Sequence, residues 1–304
     1  MKIVFLGTPS FAVKPLIALF ESRHKIVAVV SQPDRAKDRK GNVLHTPVKQ
    51  AALERGLTVL QFESIKKEVE TLKKFDADIF ITAAYGQILS QEVLDIPRYG
   101  VVNAHGSLLP KYRGASPIQS ALLHGETKTG VTVMQTDIGL DSGDILLAEE
   151  IAIEPYDTTA TLLDKLSELS AKLLIKTLDG LEAGAINGIR QDHSKATKCT
   201  LITKNMGRLD FSKSAAELFN MIRAIDCHAV LDSLYVKILK AEVLDDAAAN
   251  GKTADSNIGS MDENLIIQCG KGQLKILELL PQNRKRMTAA EFLRGFDIKG
   301  KKFE

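Results

Sequence analysis

The sequence predicts an α/β protein, with a mostly parallel sheet domain followed by a small β-barrel domain. Short runs rich in valine and isoleucine alternate with amphipathic segments as far as Glu182, and the alternation then stops. A chain of 304 residues is also long enough for two domains. We therefore expect a first domain at 1–188, a linker at 189–206 and a second domain at 207–304.

Strands and helices alternate through the first part of the chain. Ser10 is a typical helix cap, and Pro47 occupies a plausible first helical position. The predicted strands are 2–7, 25–31, 58–62, 78–84, 100–103 and 130–136, and the predicted helices are 10–22, 47–56, 65–75, 116–124 and 158–182. Because this alternation forms right-handed βαβ units, we expect a Rossmann-like sheet, with residues 144–153 as an added antiparallel arm.

After Glu182 the pattern changes in character. Residues 183–204 show little periodicity and are rich in Gly, Thr and Lys, which is typical of a linker. We expect one helix and then a series of strands separated by a loop, at 214–225, 231–243, 264–269, 274–280 and, for the loop, 245–260. Short strands in this order favour a compact, OB-like barrel.

The composition narrows the classes of function. The 40 basic residues nearly balance the 38 acidic ones, so only the distribution of charge can indicate a polyanionic partner. No apolar run reaches the roughly 20 residues of a membrane span, and we interpret the first residues as a strand rather than a signal peptide. Cys199, Cys227 and Cys269 lie far apart, which favours reduced thiols of a cytoplasmic protein over a disulfide framework or a zinc site.

The turn after the first strand argues against a nucleotide cofactor. It reads Gly7-Thr8-Pro9-Ser10-Phe11 and lacks the glycine pattern of dinucleotide-binding turns. Pro9 and Phe11 occupy positions where a pyrophosphate needs bare backbone, and the chain has no P-loop. A tight strand-to-helix turn is the simpler interpretation.

A polar pair ends the strand at Val101 and Val102. Asn103 and His105 are two residues apart, so on a strand both side chains leave the same face. Open α/β sheets bind their ligands at the carboxyl ends of strands. A histidine satisfied by backbone groups is the alternative, and the pair alone does not decide between the two.

The loop at 136–144 holds three aspartates and two glycines. It lacks the ligand spacing of a calcium loop, so we expect it to present one carboxylate to His105. We select Asp141, because Gly139 and Gly143 bracket it. Asp137 and Asp144 have the simpler interpretation of turn-forming aspartates.

Basic residues concentrate in three segments of a nearly neutral chain. They are Arg35, Lys37, Arg39, Lys40 and Lys49 in the first segment, Arg190, Lys195, Lys198, Lys204 and Arg208 in the second, and Arg284, Lys285, Arg286, Arg294, Lys299, Lys301 and Lys302 in the third. Solvated faces are the usual explanation. Three separate segments suggest a path for a polyanion, and few aromatic residues are available to stack on bases.

Several of these segments form a family pattern. They are Gly7–Pro9, Gln32–Arg35, Ala84–Leu89, Asn103–Pro117 and Met134–Asp144. Together they resemble the folate-dependent formyltransferase family, and within it the methionyl-tRNA formyltransferases, over nearly the whole chain. The resemblance implies transfer of the formyl group of 10-formyltetrahydrofolate to the α-amino group of methionyl initiator tRNA, for translation initiation, without metal or nucleotide cofactor.

The resemblance also implies roles for individual residues. Asn103, His105 and Asp141 would be catalytic. The folate would contact Tyr85, Gly86, Gln87, Ile88, Leu89, Ser107, Leu108, Leu109, Pro110, Asp137 and Leu140. The tRNA would contact Arg35, Lys37, Arg39, Lys40 and the second domain of a monomeric enzyme.

One alternative shares the same donor and the same chemistry. A sugar-nucleotide N-formyltransferase has a similar two-part layout, but such enzymes usually carry a histidine where this chain has Met134. The chain also departs from the methionyl-tRNA enzymes at 223–229, where they commonly have Asn-Pro-Trp-Pro. A tRNA-binding protein without catalysis is a third possibility, and the intact Asn103, His105 and Asp141 argue against it.

Overall fold

The computed structural model describes residues 1–37, 40–244 and 257–303. The chain divides into two compact units. The first contains 1–117, 128–153 and 160–199, and the second contains 118–127, 154–159 and the residues from 200 onward. Within the described ranges, no helix combines the length and apolarity needed to cross a membrane.

A seven-stranded sheet with the order β3-β2-β1-β4-β5-β7-β8 forms the centre of the first unit. Its strands are β1 (Lys2–Gly7), β2 (Lys25–Ser31), β3 (Val59–Gln61), β4 (Ile79–Ala83), β5 (Val101–His105), β7 (Lys128–Gln135) and β8 (Ile145–Ala152). β1 to β5 pair in parallel, whereas β7 and β8 are antiparallel to their neighbours. The mostly parallel, Rossmann-like sheet and its added antiparallel arm are therefore confirmed.

Four helices connect the parallel strands: α1 (Val13–Glu21), α2 (Pro47–Leu53), α3 (Val69–Lys73) and α4 (Gln91–Leu94). After the antiparallel β8, α6 (Thr159–Glu182) belongs to the first unit, whereas α5 (Pro117–Leu123) belongs to the second unit except for Pro117. Every residue of β4 is buried, as expected for a central strand covered on both faces. α2 begins where Pro47 predicts, with the Thr46 side chain accepting a hydrogen bond from the Lys49 amide.

An antiparallel sheet forms the core of the second unit, as expected for its β-rich sequence. Its strands are β10 (Cys227–Leu231), β11 (Leu234–Leu244), β12 (Ile266–Gln268), β13 (Gln273–Pro281) and β14 (Met287–Thr288), and its helices include α7 (Ala215–Ala224) and α8 (Ala289–Gly295). The prediction of one strand at 231–243 is wrong at its start. Asp232 and Ser233, both at positive φ, form a hairpin turn there.

The region expected to be a linker is partly ordered with the first unit, which continues to Cys199. β9 (Lys198–Cys199) pairs in parallel with β6 (Arg113–Gly114), and Ile189 bridges to Ile145. Contacts this short have no periodic signal in the sequence. Most of the predicted loop at 245–260 lies outside the described residues.

Candidate active site

Asn103 faces a threonine on the neighbouring strand. β4 and β5 are parallel, and their register places Thr82 opposite Asn103. The Thr82 hydroxyl lies 2.8 Å from Asn103 Oδ1 and 3.4 Å from the Val102 carbonyl, so its single proton goes to the amide oxygen. No hydrogen bond in the described part of the chain uses the Asn103 Nδ2 group. That group is therefore free to donate to a bound molecule.

The protonation of His105 is determined by the atoms around its ring. The side chain is buried, and Nε2 lies 2.9 Å from the Tyr112 carbonyl. A carbonyl oxygen only accepts, so Nε2 carries the proton that it donates. Nδ1 faces Asp141 Oδ2 at 3.7 Å, which is too long for a direct hydrogen bond. Nδ1 is therefore the ring nitrogen that faces the carboxylate.

Asp141 reaches the histidine from the connection between β7 and β8. Because β7 runs antiparallel to β5, this connection starts beside Val101, which accepts a 2.7 Å hydrogen bond from the Thr136 amide. The chain then returns along β5 to His105. Asp141 has a positive φ of 48°, and its Oδ2 accepts a 2.8 Å hydrogen bond from the Gly114 amide.

The other two aspartates of the loop have different surroundings. Asp137 accepts hydrogen bonds from the Gly139 amide and the Ser142 hydroxyl, and it thereby closes the turn. Asp144 lies against Gly188, where an added Cβ would be 2.8 Å from the Asp144 Cβ. Among the three carboxylates, Asp141 is the one that pairs with His105.

Thr132 fixes the segment from Ser107 to Pro110 that we expected beside the folate. Its hydroxyl donates to the Ser107 carbonyl at 2.7 Å and accepts from the Leu109 amide at 3.0 Å. The Ser107 hydroxyl donates to the Lys111 carbonyl, and the Leu109–Pro110 peptide bond is cis. Ser107 and Leu109 are buried, while Leu108 and Pro110 are partly exposed.

The residues after β4, Tyr85–Leu89, differ in burial, backbone conformation and side-chain partners. Tyr85 and Leu89 are buried, and burial raises the pKa of Tyr85 to about 12. Gly86 has a φ of 90°, which favours glycine. The Gln87 side chain is engaged by the Ile65 amide and the Phe62 carbonyl, so it points toward the β3 side of the sheet.

Three large apolar side chains near these segments are exposed to solvent. Ile88 is 73% exposed, Ile138 65% and Leu140 56%. Ile88 follows β4, whereas the other two belong to the loop of Asp141. Exposed apolar side chains on segments that flank a polar centre are typical of a site for a partly apolar ligand.

The predicted tRNA loop is anchored at its base by Asp34. This carboxylate accepts hydrogen bonds from Lys49 Nζ at 2.6 Å, His45 Nδ1 at 2.9 Å and Gln61 Nε2 at 2.9 Å. Burial alone would raise the pKa of Asp34, but these hydrogen bonds, led by that of Lys49, lower it far below its usual value. Asp34 therefore stays ionised and joins the two ends of the loop.

The basic residues of this loop differ in how they are held. Arg35 pairs with Glu63 at 3.0 Å on the surface. Lys37 forms an antiparallel bridge with Val43. Lys40 is exposed, and Arg39 lies outside the described residues.

Two models of known protein families match the chain. The formyl transferase family model matches residues 1–178, and the model of the formyl transferase C-terminal domain matches residues 201–297. The chain belongs to the formyl transferase family.

Related formyl transferases match it along nearly their whole length. The methionyl-tRNA formyltransferase of Lachnospira eligens is 42% identical over 97% of this chain and 96% of its own. That of Caldanaerobacter subterraneus is 42% identical over 98% of both chains. An N-formyltransferase from Helicobacter canadensis, solved with folinic acid and dTDP-3-aminofucose, is 20% identical, and it superposes with a TM-score of 0.69 over 94% of this chain and all of its own. That likeness concerns the fold.

Three groups at the site of this formyl transferase were not among the predicted residues. They are the Thr82 hydroxyl, the Tyr112 carbonyl and the Thr132 hydroxyl. Thr82 and Thr132 lie on strands, and only the register between strands shows which neighbour each one meets. In the described ranges, no group of three or more His, Cys, Asp or Glu side chains is placed to hold a metal ion.

Proposed function

We propose that this formyl transferase moves the formyl group of 10-formyltetrahydrofolate to the α-amino group of methionine on initiator tRNA. The observation that carries the proposal is the cluster of Asn103, His105 and Asp141, with a free amide donor beside a buried histidine and its carboxylate. Relatives that are 42% identical over nearly the full length and carry this name support the same acceptor. Formylated methionyl-tRNA serves translation initiation.

The residues around the cluster fit a folate. Ile88, Ile138 and Leu140 are exposed apolar side chains that a flat heterocycle would cover. We propose that the folate contacts Tyr85–Leu89 on one side, and Asp137 and Leu140 on a second side. Ser107–Pro110 would contact it on a third side. When bound, 10-formyltetrahydrofolate supplies an activated formyl carbon to the attacking amine.

Asn103, His105 and Asp141 have different roles in the transfer. Asn103 Nδ2 donates to the formyl oxygen, where negative charge develops. A proton on His105 Nδ1 stabilises the same charge, because Nε2 is already committed to the Tyr112 carbonyl. Asp141 holds the imidazolium by its charge and helps to accept the amine proton through water. The amine of an aminoacyl ester is weakly basic, so the attack requires no strong base. The bond between the formyl carbon and N10 of the folate then breaks, and N10 takes up one proton as tetrahydrofolate leaves, which balances the proton that the amine loses.

The acceptor is a polyanion, and the loop at 32–46 offers the matching charge. We propose that Arg35, Lys37, Arg39 and Lys40 contact the tRNA acceptor end, and that the domain at 207–304 contacts the acceptor arm. We further propose that the enzyme acts in the cytoplasm as a monomer. Asp34 supports the contacts of the loop by holding its base.

A direct assay tests the proposal. Labelled 10-formyltetrahydrofolate is offered with methionyl initiator tRNA, with the same tRNA lacking methionine, or with an amino-sugar nucleotide. We expect label only on the methionyl-tRNA, and loss of about 10²–10⁴-fold in rate for His105→Ala, with folding intact. Label on the sugar nucleotide would replace the proposed acceptor, and near-normal turnover of the variant would exclude His105 from catalysis.

A further inference from the structure

Gln191 connects the loop of Asp141 to the rest of the first unit. Its side-chain Nε2 donates to the Asp141 carbonyl at 3.0 Å and to the Gly143 carbonyl at 2.7 Å. Its Oε1 accepts from Arg113 Nε at 3.1 Å and from Arg113 Nη2 at 2.6 Å. Gln191 and Arg113 are both buried. One side chain from the predicted linker therefore makes four hydrogen bonds between two segments of the candidate site.

The orientation of the Gln191 amide is unambiguous. Arginine has only donors, so the oxygen of Gln191 must face Arg113. Backbone carbonyls only accept, so the NH₂ group must face Asp141 and Gly143. Arg113 is itself oriented by a further 3.0 Å contact between its Nη2 and His193 Nδ1. The arrangement fixes where each proton points.

The loop needs such support because Asp141 adopts an unusual backbone. Its φ of 48° lies in the left-handed region, which is unfavourable for a residue with a Cβ. In this conformation the Asp141 side chain points to His105 and to the Gly114 amide. The Gly114 amide, which donates the hydrogen bond to Asp141, belongs to the residue directly after Arg113. Through its bonds to Arg113 and Asp141, Gln191 therefore connects the two segments that this hydrogen bond joins.

We propose that Gln191 is a positioning residue for formyl transfer, which holds Asp141 against His105 with Arg113 as its orienting partner. This inference rests on the proposed function. Gln191 acts on the reaction only through the carboxylate of Asp141. Displacement of a catalytic group by about 1 Å can lower a rate by roughly a hundredfold.

The first test is a double-mutant cycle with Gln191→Met and Asp141→Asn, measured as steady-state formylation of methionyl-tRNA. In the wild-type background we expect Gln191→Met to lower kcat about 10- to 100-fold, with the KM for tRNA unchanged. In the Asp141→Asn background we expect less than about a threefold further loss, because the group being positioned is already disabled. Equal losses in both backgrounds would overturn the inference.

A second variant covers the case in which Gln191→Met fails to fold. Gln191→Glu keeps acceptor oxygens for Arg113, removes the donors to Asp141 and Gly143, and adds a negative charge that pairs with Arg113. We expect the same loss of kcat and the same dependence on Asp141. Ser167→Ala is the control, because it removes another buried 2.7 Å hydrogen bond to a carbonyl in the same unit, that of Phe11, and should leave kcat unchanged.

The second readout does not depend on activity. Amide hydrogen exchange of Gly114 reports the hydrogen bond to Asp141 Oδ2. We expect faster exchange in Gln191→Glu than in the wild type, and unchanged exchange would contradict the inference. A wild-type enzyme that formylates no methionyl-tRNA would count against the proposed function instead, while the exchange result would still decide the role of Gln191.

Discussion

Thr82 and Tyr112 were not among the predicted site residues, yet the Thr82 hydroxyl and the Tyr112 carbonyl decide what the two central side chains of the site can donate. Thr82 turns the amide of Asn103 so that Nδ2 is free, and Tyr112 holds the proton on His105 Nε2. The spacing of Asn103 and His105 predicts their common face. It does not predict their partners, because those come from another strand and from a later turn.

The free donor of Asn103 can be tested in isolation. Asn103→Asp keeps the shape of the side chain and an oxygen for the Thr82 hydroxyl, but it replaces the donor by a negative charge. We expect kcat to fall about 10²–10³-fold with an unchanged melting temperature, as for the loss of an oxyanion donor. Asn220→Asp is the control, since Asn220 Oδ1 also accepts a side-chain hydrogen bond, at 2.8 Å from Arg223. Equal kcat values for both variants would exclude the role.

Among the elements, the loop at 32–46 and the β6–β9 pair show where prediction from sequence ends. The basic residues mark the loop, but Asp34, Lys49 and Gln61 at its base come from three separate positions along the chain. β6 and β9 have two residues each, too few for any periodic pattern. Elements this short form because packing against neighbouring segments stabilises them, and no local sequence pattern predicts them.

Asp34 should matter for tRNA and not for the folate. Asp34→Asn replaces the carboxylate shared by Lys49 and His45, so the loop loses its anchor. We expect the KM for methionyl-tRNA to rise several-fold while kcat and the KM for the folate stay within about twofold, as expected for weakened substrate binding. Asp164→Asn, which removes an exposed ion pair with Lys14, serves as the matched control. An unchanged KM for tRNA would show that the base of the loop does not contribute to tRNA binding.

The low pKa of Asp34 also has a consequence for stability. A carboxyl group whose pKa is lowered by folding stabilises the native state above its unfolded pKa of about 4, and this contribution is lost as the pH falls. We expect the difference in unfolding free energy between wild type and Asp34→Asn to be largest at neutral pH and to shrink below about pH 4. Urea titrations at several pH values measure it.

The control for this measurement is Thr177→Val. It removes a buried hydrogen bond between uncharged groups, so its destabilisation should not follow the same pH dependence. A constant difference for Asp34→Asn across the whole pH range would contradict the assignment.

At the scale of the whole molecule, the distribution of charge indicates more about the binding partner than the net charge does. The 40 basic and 38 acidic residues almost cancel. The mostly parallel sheet of the first unit and the antiparallel sheet of the second follow from the alternation and the periods of apolar residues. The basic segments are a feature that a tRNA acceptor would use.

Binding of tRNA should therefore depend steeply on salt. If four side chains contact phosphates, counterion release predicts a loss of affinity on the order of a hundredfold between about 50 and 200 mM salt. Filter binding or fluorescence anisotropy at several salt concentrations measures this slope. An affinity for tRNA that does not change with salt would contradict the proposal that the basic segments contact phosphates. Folate binding through its neutral part should change little over the same range.

The sequence by itself determines the strand that ends in Asn103 and His105, the common face of the two side chains, and the presence of a carboxylate loop after the next long strand. Local periodicity and turn residues carry this information, because each depends on neighbours along the chain. The tertiary structure alone decides that Asp141 meets His105, that Thr82 orients Asn103 and that Gln191 holds the loop. Those contacts join residues tens of positions apart, and strand register and packing select them.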